Sequence, residues 1–267
     1  MIAPIASPSD DVAGRPLKSA PDYSVPALDK ALDILELLAD RGDGLSQLEI
    51  AQAIERSPSQ IFRVLTTLER RGFVFRDRSG LYVLSLRLFD LAHRHEPLRS
   101  LTAAALPVMR ELAGDIQQSC NLSVLDAERV RVIAQVESPG DFGFSVRVGA
   151  LFSVTETATG MVLEAFRPEV PADGGSALER LLAERIRGDG YLERPDARQP
   201  SITDVVFPIL RADSTAVAAL TVPYVATSLS AEAPEVVIGR ARDAAAEIGR
   251  SLALAPGAEA RDPRLEP

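Results

Sequence analysis

Apolar residues recur at helical spacing from Val25 to about residue 118, with one interruption, and at alternate positions along much of the chain beyond Cys120. Val25, Leu28, Leu32, Leu35 and Leu38 mark an amphipathic helix that ends near Arg41-Gly42-Asp43-Gly44. Ser46-Gln47-Leu48-Glu49 is a capping box, with Leu45 and Ile50 placed as a hydrophobic staple, and its helix runs to about Ile54. Only Glu55 and Arg56 precede a second box, Ser57 with Gln60, in which Pro58 suits a first helical turn. At 100° per residue, Ile61, Val64, Leu65 and Leu68 then share one face. Ser59, Arg63, Thr66 and Arg70 lie opposite, flanked by Gln60, Phe62 and Thr67. Gly72 stops this helix. Residues 73–76 and 81–84 are strand-like runs around the turn Asp77-Arg78-Ser79-Gly80.

The later pattern predicts a short helix over residues 86–95, closed by Pro97, and a long amphipathic helix carrying Leu98, Leu101, Ala105, Val108, Met109, Leu112 and Ile116. That long helix is placed to pack between subunits or against a sheet. Leu122 and Val124 alternate, Asp126-Ala127-Glu128 turns, and Val130, Val132, Ala134 and Val136 alternate again. Further strands are expected over 144–148, 205–210 and 217–224. Helices are expected over 155–166, 178–186 and 231–254, with a loop over 168–176. Strands in pairs with helices between and after them indicate an α+β protein with a mostly antiparallel sheet. Residues 1–24 and 255–267, rich in Pro, Ala and polar groups, read as disordered tails. Between them the pattern gives a winged helix-turn-helix over 25–85, a linker helix over 86–97 and a third region over 98–254.

Composition adds an asymmetry of charge. The 267-residue chain is 46% hydrophobic with a net charge of −9, yet residues 56–78 hold six arginines against Glu69 and Asp77, a local +4. A basic patch on an acidic protein suits a selective DNA binder that is repelled elsewhere along the duplex. Arg pairs with guanine, Gln with adenine, and Ser or Thr with either. Ser57, Ser59, Gln60, Phe62, Arg63, Thr66, Thr67 and Arg70 are therefore the candidate DNA-binding residues of this helix, with Ser59, Gln60, Arg63 and Thr66 facing the major groove and Arg70 near the backbone. Arg76 and Arg78, at the hairpin tip, are candidates for the minor groove or phosphates. The plainer alternative is an amphipathic helix with a solvated face; the two boxes bracketing a tight turn favour the DNA-binding one.

Other chemistry finds little support. One cysteine, Cys120, fits a reducing compartment and a packed thiol. His93 and His95 have metal-like spacing but no cysteine or carboxylate cluster beside them, so a solvated linker is expected. No Ser/His/Asp arrangement or phosphate-binding loop is evident. No cofactor, no metal and no catalysis are expected. The N-terminus lacks a basic start and an apolar core, and no apolar run is long enough for a membrane span, so a cytoplasmic protein is expected.

Three stretches, in this order and spacing, resemble the IclR (isocitrate lyase regulator) family of bacterial transcription factors across about residues 25–254. They are residues 57–68 with the Arg71-Gly72-Phe73 ending, Gly149 through Thr157-Ala158-Thr159-Gly160, and Phe207-Pro208-Ile209 followed by residues 217–222. The resemblance implies a GAF-like effector domain after the linker, a dimer or tetramer on a pseudo-palindromic operator, and a small metabolite effector, commonly an organic or aromatic acid. A GAF-like enzyme or sensor, whose winged domain mediates protein contacts, is the alternative. The chain departs from the family at Met161, where a basic residue is frequent, and at Pro223, where a hydroxyl is common.

Within that frame, a helix starting near Thr155 would offer N–H groups to an anion, with hydroxyls from Thr155, Thr157 and Thr159 beside Gly160 and Met161. Phe144, Val146, Leu220 and Tyr224 would form an apolar wall, near Thr221. Asp204 would hold a hydroxyl or amine, so the expected effector is a small acid carrying such a group. The plainer role for Asp204 is to cap local backbone.

Overall fold

The computed structural model describes residues 25–94, 96–141, 143–167, 176–196, 199, 201–226 and 232–254. The tails expected over 1–24 and 255–267, His95, and the loop expected over 168–176 except Ser176 lie outside these. The chain forms two compact units, one ending at Ala92 and the other starting at His93. Among the described residues no helix is long and apolar enough to cross a membrane.

The first unit contains α1 (Pro26–Ala39), α2 (Gln47–Ala53), α3 (Pro58–Arg70), β1 (Val74–Arg76), β2 (Tyr82–Leu84) and α4 (Arg87–His93). Its core joins Ile34 and Leu38 of α1, Ile50 of α2, and Ile61, Leu65 and Leu68 of α3 to Val74 and Tyr82 of the hairpin. Both capping boxes form: Ser46 N–H donates to Glu49 at 2.7 Å, and Ser57 N–H donates to Gln60 Oε1 at 3.2 Å. Hydrogen bonds from the Ser46 hydroxyl and backbone hold the Glu49 carboxyl below its ordinary range.

The turn between α2 and α3 is set by Glu55, whose φ of 54° is left-handed. This lets Arg56 N–H reach back to the Ala51 carbonyl at 2.8 Å. A non-glycine residue there costs about 1 kcal/mol. The Gln47 side chain spans the turn and donates to the Pro58 carbonyl at 2.9 Å. At the far end of α3, Gly72 (φ 75°) lets Phe73 N–H satisfy the Leu68 carbonyl. Leu45 and Tyr82 exchange backbone hydrogen bonds, so the wing gains a third, single-residue strand.

The second unit contains α5 (Glu96–Ile116), β3 (Cys120–Asp126), β4 (Arg129–Val136), β5 (Leu151–Ser153), α6 (Ala158–Ala165), α7 (Ala177–Asp189), β6 (Leu192–Pro195), β7 (Ile202–Leu210), β8 (Ala216–Val225) and α8 (Pro234–Leu254). The six strands form one sheet of order β5-β4-β3-β8-β7-β6, antiparallel throughout. One face buries Leu122, Val205, Phe207, Leu220, Val222 and Tyr224 against α5 and α8. The other meets α6 and α7 through Val130, Val206 and Ala219. Cys120 is buried within the first layer, which pushes its thiol up to about 12.

Several local expectations shift. Pro97 occupies the first turn of α5 instead of closing the segment before it. Of the two roles expected for the long helix, the apolar side of α5 takes the packing against its own sheet, together with α8. Residues 143–148 form no strand; the edge strand is β5. The charged edge strand β6 had no sequence signal. Between β3 and β4 the register slips at Leu122/Ser123, leaving Ile133 as the extra residue. That bulge sends Val130 and Val132 to one face and Ala134 to the other, so the four alternating positions of β4 do not share a face.

Candidate functional site

Two surfaces carry candidate chemistry, one in each unit. On α3 the predicted division of faces holds: Ile61, Leu65 and Leu68 are buried, while Ser59, Gln60, Arg63, Thr66, Thr67 and Arg70 are exposed and Phe62 is half exposed. The threonine hydroxyls donate into their own helix, Thr66 to the Phe62 carbonyl (2.9 Å) and Thr67 to the Arg63 carbonyl (2.8 Å). Outward they present oxygen acceptors and methyl groups. Gln60 spends its oxygen on the cap and keeps its NH2 group for a partner. Ser57 and Ser59 share a hydroxyl contact of 3.1 Å. The two arginines of the wing differ. Arg76 folds back over the Tyr82 ring, 4.6 Å from its centroid, hydrogen-bonds the Tyr82 hydroxyl and approaches Glu69 at 3.8 Å. Arg78 stands exposed on a turn built by Asp77, whose carboxylate accepts from Ser79 and Leu81 N–H.

The second unit holds a cavity of about 210 Å³. Its floor is the sheet face bearing Asn121, Ser123, Asp204, Thr221 and Pro223; α6 contributes Thr159, capped by Thr157, and Phe144 and Val146 come from the irregular segment. Val130, Val132 and Phe152 complete the apolar side, and Asp196 and Gln199 stand at the edge beyond β6. Among the expected effector residues, Phe144, Val146, Thr157, Thr159, Asp204 and Thr221 thus come together.

Five expected residues do not join them. Strand alternation decides Leu220 and Tyr224: Thr221 and Pro223 face the cavity, so their neighbours point to the α5 and α8 layer. Tyr224 there donates its hydroxyl to the Glu232 carbonyl. Thr155 is exposed and pairs with Ser153, because α6 starts three residues later than expected, at Ala158. Gly160 is pressed against the chain: a Cβ there would lie 2.1 Å from the Val154 carbonyl oxygen. Met161 packs in the layer behind, where its sulfur receives Arg194 Nη1 at 2.9 Å.

The polar groups of the cavity are largely paired with one another. Ser123 donates to Asn121 Oδ1 at 3.2 Å, and the Thr159 and Thr221 hydroxyls meet at 2.9 Å. Thr157 donates to the Ser153 carbonyl (2.8 Å) and accepts Gly160 N–H (3.1 Å), so α6 is capped by its own residue. Asp204 is the exception. It is 9% exposed and has no hydrogen-bond partner among the described residues. Desolvation pushes its carboxyl up to about 6, Asp196 adds to this, and Arg194 opposes it. Among the described residues the cavity lining holds no Lys, Arg or His.

Sequence reasoning missed Asn121, Ser123, Val130, Val132, Phe152, Asp196 and Gln199. For Asn121 and Ser123 a signal existed, two polar groups at alternate positions of an otherwise apolar strand.

The IclR helix-turn-helix domain matches residues 27–78, and the C-terminal domain of the bacterial transcriptional regulator IclR matches residues 98–186; together they span more than half of the chain. The chain is 29% identical to the glycerol operon regulatory protein of Streptomyces coelicolor, over 61% of this chain and 64% of that protein. It is 24% identical to the transcriptional regulator KdgR of Escherichia coli, over 90% of this chain and 97% of that one. Among solved structures, an IclR-type transcriptional regulator from Alicyclobacillus acidocaldarius superposes with a TM-score of 0.63 at 25% identity, covering 86% of this chain and all of that one. The chain belongs to the IclR family of bacterial transcriptional regulators.

Proposed function

We propose that this protein is a sequence-specific operator-binding regulator of transcription whose DNA binding or activity is set by a small molecule held in the cavity of the second unit. The observation that carries it is the face of α3. A helix capped and braced by the preceding turn exposes Arg63, Thr66 and Gln60 in a row while its opposite face is buried. Roles divide accordingly: residues 25–85 bind DNA, 86–97 link, and 98–254 bind effector and assemble subunits. Oligomerisation is supported by Leu28 and Leu32, which leave apolar surface exposed along α1. Among the described lining residues the titratable groups are Asp196 and Asp204, which supports a binding role over a catalytic one. A regulator of this kind acts in the cytoplasm.

The test is binding to duplex DNA from upstream of its own gene, with scrambled duplex and single strands as controls. Duplex-dependent, salt-sensitive and sequence-selective binding is expected. A chain that binds protein partners and no duplex supports the alternative, in which the winged unit mediates protein contacts.

A further inference from the structure

The cavity offers a ligand one unpaired carboxylate, that of Asp204, beside the amides of Asn121 and Gln199. Among the described residues its lining holds two carboxylates and no basic side chain. Several of its donors are already spent inside the protein: the Ser123 proton on Asn121, the Thr157 proton on Ser153, and one proton of the Thr159–Thr221 pair. What remains are the amide NH2 groups of Asn121 and Gln199 and an Asp204 carboxylate that is more than nine-tenths buried, lines the cavity and has no hydrogen-bond partner among the described residues. A largely buried carboxylate in that state, its oxygens open to the cavity, favours a ligand that donates to it.

A ligand carboxylate would find no counter-ion among the described lining residues. The helix terminus of α6 supplies roughly half a positive charge, and Thr157 already occupies the Gly160 N–H. The unpaired Asp204 carboxylate opposes it. Arg194, opposite Asp204 in the β6–β7 register, is turned towards the Met161 sulfur and does not line the cavity.

Building on the reading of this cavity as the effector site, the geometry points to an effector that is a small alcohol or amine, uncharged or cationic, recognised by Asp204, and not a carboxylic acid. The volume accommodates on the order of ten non-hydrogen atoms. Phe144, Val130 and Val132 give it an apolar side to lie against. Burial raises the Asp204 carboxyl to about 6, and a donated hydrogen bond would return it towards ordinary ionisation.

The test uses the full chain and matched triplets: benzyl alcohol, benzylamine and benzoate, then ethylene glycol, ethanolamine and glycolate. Ligand-observed NMR and thermal shift rank their binding at millimolar concentration. Within each triplet the alcohol or amine should bind the wild type about tenfold or more tighter than the acid. In Asp204→Asn, which keeps shape and removes charge, the amine should lose about tenfold and the acid should gain. An acid ranking first on wild type, unchanged ranking in Asp204→Asn, or no binding by any alcohol or amine each overturns the inference. Operator release by a carboxylic acid would sink this inference and leave the regulator intact. Absence of operator binding would sink the regulator, while the triplet ranking still judges the cavity.

Discussion

Arg194 and Asp204 lie opposite each other across β6 and β7, yet the guanidinium donates to Met161 Sδ and leaves the carboxylate without an ion pair. Asp204 therefore carries its charge at a cost. Its folded pKa of about 6 lies above the ordinary 3.8, so the folded state holds the proton more tightly than the unfolded chain. Stability from this group is present below about pH 4 and is lost as the pH rises through 6. Asp204→Asn should stabilise the ligand-free protein at pH 7.5 by on the order of 2–3 kcal/mol. The difference in unfolding free energy between the two proteins should shrink to near zero at pH 4. A constant difference across that range would show that the carboxylate is not desolvated.

Gly160 makes the close approach of α6 to Val154 possible. In Gly160→Ala the new methyl would meet the Val154 carbonyl at 2.1 Å, and backbone must move. A cost of about 1–3 kcal/mol is expected in thermal unfolding. Because Thr157 and Thr159 move with the helix, ligand binding should weaken while operator affinity in the absence of ligand is kept. Equal stability of the two proteins would contradict the packing described for α6.

The wing arginines separate by experiment. Arg78→Ala should weaken binding to all duplexes alike and reduce the slope of log affinity against log salt by about 1. Arg76→Ala removes the stack on Tyr82 and should destabilise the hairpin by about 0.5–1 kcal/mol. Salt titrations and thermal unfolding of both variants check this. The same salt slope in Arg78→Ala as in wild type would remove Arg78 from the DNA interface.

How much the sequence revealed depended on how local each signal was. The helix-turn-helix was legible because two capping boxes, a glycine stop and a helical period are all written within a few residues of one another. The cavity was less so. Whether Leu220 or Thr221 faces it depends on which strand each pairs with, and a run of alternate apolar and polar residues does not identify its own inner face. The bulge at Ile133 reverses parity halfway along β4 with no local mark. Strand β6, Leu-Glu-Arg-Pro at a sheet edge, lacks any apolar period. The start of α6 moved because Ser153, Thr155 and Thr157 all offer capping oxygens, and only packing against Val154 selects Thr157. Glu55 gave no sign of its left-handed backbone.

The assembly is expected to be a dimer or larger bound to a pseudo-palindromic operator, since one winged module buries too little surface for tight binding. Sedimentation at micromolar concentration should show no predominant monomer. A monomer with full operator affinity would contradict it.

The central claim is that α3 reads DNA through its exposed face, and Arg63 is the residue at the middle of that face. Fluorescence anisotropy on the native operator, comparing wild type with Arg63→Ala at fixed salt, tests it most directly. Arg63 is exposed and away from the core, so the variant should fold and unfold as wild type does. Loss of one bidentate base contact should cost about 1–3 kcal/mol on the operator, with little change on unrelated duplex. Unchanged operator affinity in a folded Arg63→Ala protein would contradict the account.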